Sequence, residues 1–192
     1  MSVESPLKRW LEGLGAQHDV VQFFAPYGSD FAQAYRDLER GDWLLALASR
    51  LVDDRGALVR AAAAVARIAE AEADQELIGR DAIDLIEAAE DWTTLRRSGP
   101  ALAARADELA KRAESFSDPR ARFTLLAACS AARTAVDVEA APLAAAHVME
   151  AALSAHGDGD LMERVSKIHA LTAKAAKIHL PPELMRTPFK TH

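Results

Sequence analysis

Apolar side chains recur along this chain every three to four positions. Leu58, Ala61, Val65, Ile68 and Ala69 share one face of a helix, and Ile78, Ala82, Leu85, Ile86, Ala89 and Trp92 share another. Leu102, Ala106, Leu109, Ala113 and Phe116 form a third stripe, and Phe123, Leu126, Cys129 and Ala132 a fourth. Leu161, Val165, Ile168, Leu171, Ala175 and Ile178 form the last. No stretch shows the period-two alternation of β-branched residues that a half-buried strand needs. The pattern predicts an all-α fold.

Start and stop signals divide these stripes into separate helices. Ser29 is placed to cap a helix through about Glu39, Asp42 the next, and Asp54 a long one through about Ala71. Asp118-Pro119 joins a capping acid to a proline at the first helical position, and Gly99-Pro100 gives a similar start one segment earlier. Pro142 marks a helix start or a kink. Gly157 and Gly159 separate two late helices. The expectation is a compact bundle of about eight to ten Ala-rich helices. Residues 1–180 would form one domain, followed by an extended Pro-rich tail at 181–192. Asp54-Arg55 and Asp118-Pro119-Arg120 echo each other like HEAT-repeat starts, which leaves HEAT-like hairpin stacking open. Their separation is longer than the roughly 40–47 residues of that repeat.

Composition strengthens the helical reading. About one residue in five is alanine, the best helix former, whose small side chain lets helix axes approach. The 192 residues suffice to bury a core without disulfides or metals. The lone Cys129 excludes an internal disulfide and any paired-cysteine metal or redox site, and its apolar neighbours predict burial. The formal charge of −6 argues against nucleic acid as a partner. No signal-like segment or apolar run long enough to span a bilayer is visible. Membrane insertion is therefore not expected, and a cytoplasmic location is.

Chemistry-bearing residues are sparse. His18, His147, His156, His169, His179 and His192 include no pair at the four-residue spacing of a helical zinc site. His147 and Glu150 reverse the order of a di-iron Glu-x-x-His pair and lack a partner motif. No nucleophile elbow or phosphate loop is present. Neither a metal nor a cofactor is expected, and no catalytic residue. Gly41-Asp42-Trp43 reads as a turn, a cap and an inward tryptophan, with Trp10 and Trp92 also in the core.

Charge is more informative. Glu70, Glu72, Asp74, Glu76, Asp81, Asp84, Glu87, Glu90 and Asp91 crowd one window, opposed in sequence only by Arg80. Residues 164–190 instead carry Arg164, Lys167, Lys174, Lys177, Arg186 and Lys190 against Glu183. A plain solvated helix face accounts for such acids. The functional alternative is a partner-binding surface at Glu70, Glu72, Asp74, Glu76, Asp81, Asp84 and Glu87 that steers a basic protein.

Three segments resemble a family of Ala-rich immunity proteins of bacterial polymorphic toxin systems. They are Gly41-Asp42-Trp43-Leu44-Leu45 with the Ala-rich helix after it, Arg80-Asp81-Ala82-Ile83 leading to Ala88-Ala89-Glu90-Asp91-Trp92, and Ile178-His179-Leu180-Pro181. Gly79-Arg80-Asp81 stands where the family has Asp-Arg-Pro. The resemblance implies an all-helical, non-catalytic protein that binds and neutralises a cognate toxin, and it supplies no catalytic residues. A helical adaptor or scaffold, including a homodimer, and an enzyme built on a helical bundle are the competing readings.

Overall fold

A computed structural model describes residues 5–92, 94, 98–155 and 160–189. These residues contain no strand and form eleven α-helices: α1 (Pro6–Gly13), α2 (His18–Phe24), α3 (Phe31–Asp37), α4 (Gly41–Leu51), α5 (Arg55–Glu72), α6 (Gln75–Ile78), α7 (Asp81–Glu90), α8 (Gly99–Ala113), α9 (Pro119–Arg133), α10 (Ala141–Ser154) and α11 (Leu161–His179). The all-α bundle follows the expectation, with a one-turn α6 among its eleven. Gly157 and Gly159 lie outside the described residues.

Short polar side chains start most of the helices by accepting otherwise orphaned backbone N–H groups. Asp54 accepts from Ala57, Asp118 from Arg120 and Ser98 from Ala101. Two expected caps differ. Asp30, not Ser29, accepts from Gln33 at the start of α3. Asp42 lies inside the first turn of α4 and turns its carboxylate to Arg40. Gly79, at φ 62°, ends α6 in a conformation that L side chains rarely adopt. The expected stripe from Ile78 to Trp92 is therefore split between two helices.

The bundle is organised around α5. It touches α4, α7, α9, α10 and α11. Neighbours on so many sides leave room only for small side chains, and Ala57, Ala61, Ala62, Ala63, Ala66 and Ala69 are all buried on it. Helix α9 is enclosed in the same way by α5, α7, α8 and α10. Its expected stripe is therefore incomplete: Ala121, Thr124, Leu125 and Ala128 are buried, whereas Phe123 and Leu126 lie half-buried at the edge. Side-by-side α8, α9 and α10 resemble stacked hairpins, but α5 adds contacts that a one-dimensional stack lacks.

The largest departure from the periodicity is in α11. Its buried face is Ile168, Thr172, Ala173 and Ala176, continued by Leu180, while Leu161, Leu171 and Ile178 are exposed. Gly41 explains the rotation. A Cβ placed there would stand 2.4 Å from the Thr172 hydroxyl, so α4 and α11 meet at Gly41 and Thr172. The buried hydroxyl is satisfied by donating to the Ile168 carbonyl at 2.9 Å.

One apolar core runs from Leu7 to Met185. The proline-rich segment after α11 folds back onto it. Met185 is buried, the Arg186 N–H donates to the Leu51 carbonyl at 2.8 Å, and Phe189 meets the edge of Trp10. No helix among the described residues is long and apolar enough to cross a membrane.

Candidate partner-binding surface

The acidic window becomes an exposed ridge across the end of α5, the whole of α6 and the outer side of α7. Ala82, Leu85, Ile86, Ala88 and Ala89 turn inward on α7, which leaves Asp81, Asp84 and Glu87 facing solvent. Asp74 caps α6 by accepting from the Glu76 N–H at 2.9 Å, and Glu72 and Glu76 flank it in solvent. Glu70 differs from the other six. Its side chain is only 13% exposed, lies 3.7 Å from Arg67 and accepts from Gln75.

The fold supplies more counter-charge than Arg80. Arg120 comes from α9 to within 3.5 Å of Glu72, and Arg112 from α8 pairs with Asp81. Arg80 reaches Asp84 at 3.4 Å, and Arg67 holds Glu90 through two hydrogen bonds of 3.1 and 2.7 Å. That bidentate contact raises the Arg67 pKa above its ordinary value. Among the described residues, Glu76 and Glu87 have no ion pair within 4 Å. Arg112 and Arg120 are remote in sequence, so the linear pattern overstated the free charge. Beside the ridge, α7 and α8 enclose a cleft of about 250 Å³ lined by Asp81, Leu85, Arg105, Glu108, Leu109 and Arg112.

A second polar cluster gathers at the start of α4. The Arg40 guanidinium grips Asp42 at 2.6 and 3.2 Å and lies 4.1 Å over the Trp43 ring. Trp43 is therefore half-buried under a cation instead of fully inward. His169 Nδ1 stands 3.7 Å from Asp42. Burial, then the nearby Arg40, lowers the His169 pKa against the opposing pull of Asp42.

Most of the remaining candidate groups lie within the bundle. Ser130 Oγ lies 3.1 Å from His147 Nδ1, a distance suited to a nucleophile and its base. Ser130 is only 2% exposed, and the contact ties α9 to α10. Burial lowers the His147 pKa, and the ring stacks on Phe123. Cys129 is fully buried and its thiol pKa is pushed up to about 12 by desolvation. His18 is exposed, and His156 and His192 lie outside the described residues. No group of three metal-ligating side chains occurs among the described residues.

Periodicity missed the outer face of α11 because it assigned Leu171 and Ile178 to the core. Only the buried Thr172, a polar residue on the true inner face, could have signalled the rotation. Two of the basic residues there are engaged. Arg164 donates to the carbonyls of Ala152 and Ala155, and Lys177 donates to that of Arg36. No family model, curated protein or solved structure matches the chain.

Proposed function

We propose that this chain is a non-catalytic binding protein, an immunity-type protein that neutralises a cognate bacterial toxin by covering a basic surface on it. The observation that carries the reading is the ridge of Glu72, Asp74, Glu76, Asp81, Asp84 and Glu87, all exposed on three successive helices. Clustered carboxylates steer a basic partner to encounter, and the adjoining α7–α8 cleft offers shape for it to engage. The sequence resemblance supports the same role. Its test uses the chain and the product of its neighbouring gene in one host. Growth arrest by the neighbour should be relieved by the intact chain. The combined reversals Glu76→Lys, Asp84→Lys and Glu87→Lys should abolish relief while leaving the circular dichroism spectrum unchanged. Full relief by the reversed chain, or a neighbour that does not arrest growth, would defeat the proposal.

A further inference from the structure

The outward face of α11 carries apolar surface that the bundle does not use. Lys167, Leu171, Lys174 and Ile178 follow one another at i, i+4, i+7 and i+11, so they lie along a single strip. Leu171 is 38% exposed and Ile178 72%. Beside the strip, α11 and the α3–α4 connection border a groove of about 500 Å³. Buried Leu38 and Ala173 line its depth, and Ile178 forms part of its wall. Arg36, Lys174 and Lys177 also line it, against Glu39. Lys177 is held in place: its ammonium donates 2.8 Å to the Arg36 carbonyl and lies 5.7 Å from the Tyr35 ring centre. Nearby Asp37 is engaged by Gln33 and Tyr27.

We infer that this groove and strip form a docking site for an acidic amphipathic helix from another protein. Leu171 and Ile178 are two helical turns apart, the spacing at which a partner helix presents successive apolar anchors. Three cations line the groove against Glu39, and Asp37 beside it stays ionised and offsets part of their charge. With Lys167 further along the strip the balance is still positive, which favours glutamate or aspartate beside those anchors and repels a basic helix. The surface is distinct from the acidic ridge, and the inference does not depend on the immunity reading.

The probe is a synthetic helix of about 15 residues with leucines at i, i+4, i+7 and i+11 and glutamates on its flanks. A twin carrying lysines for the glutamates is the control. Each is titrated into the isotope-labelled full chain and followed by amide shifts. The acidic peptide should bind saturably and shift residues 36–39 and 167–178, and the basic twin should not. Ile178→Glu, at an exposed position, should weaken binding roughly tenfold or more with an unchanged melting temperature. Lys174→Glu should weaken it less. Equal binding of both peptides, shifts confined to the ridge, or no saturable binding would overturn the inference. So would self-association of the free chain that Ile178→Glu abolishes, because the occupant would then be a second copy.

Discussion

Around α1 to α3 the core is filled by rings, whereas around α5, α9 and α10 it is filled by methyl groups. In the first region Phe31 is central, with its ring centre 5.9 Å from Trp10, 5.9 Å from Phe24 and 6.0 Å from Tyr35. In the second, most of the buried side chains are alanines and helices lie close on several sides. Both are apolar, but they fail differently. A ring region loses most when a side chain is removed, because no small neighbour can fill the void. An alanine region loses most when one is enlarged, because helix axes must separate to admit it.

Three experiments test that contrast. Phe31→Ala should be the most damaging, costing about 3–5 kcal/mol in urea unfolding. A loss below about 1 kcal/mol would mean that the rings repack freely and the contrast is unfounded. Ala62→Leu in α5 should cost about 1–3 kcal/mol even though leucine is the more hydrophobic residue. Equal or greater stability would show unfilled space beside α5. The smallest effect comes from acid titration of His147, the polar bridge within the alanine region. Burial holds its folded pKa below the ordinary histidine value, so the unfolded chain binds the proton more readily. The resulting stability is complete above the unfolded value of about 6.5 and is lost as pH falls through it toward the lower folded value. His169 and His179 shift in the same direction, chiefly through burial. Urea midpoints should therefore drop between about pH 7.5 and pH 5.5, and His147→Gln should reduce that drop. An unaltered slope in the variant would remove His147 from the account.

Local signals were legible in sequence where one short-range interaction decides the outcome. Asp54 and Asp118 cap the helices expected of them because a carboxylate and the nearby N–H groups need nothing else. The inward faces of α5, α7 and α8 were likewise readable from spacing. What escaped depends on residues remote in the chain. The register of α11 is set by Gly41 meeting Thr172, and no periodicity within α11 encodes a glycine on another helix. The acidic ridge was legible as a run of carboxylates, but its partial neutralisation was not. Arg112 and Arg120 arrive from helices whose placement is itself a product of the fold. The aromatic cluster combines both cases: Trp10 was expected inside, but Phe189 reaches it only because the final segment turns back.

The single thiol offers a gauge of how often the interior opens. Cys129 is shielded on α9, and burial disfavours its reactive thiolate, so a disulfide reagent has to wait for the surrounding helices to part. Labelling rate then becomes a clock for that parting. It needs no cysteine introduced or removed, because the chain contains no other to confuse the signal.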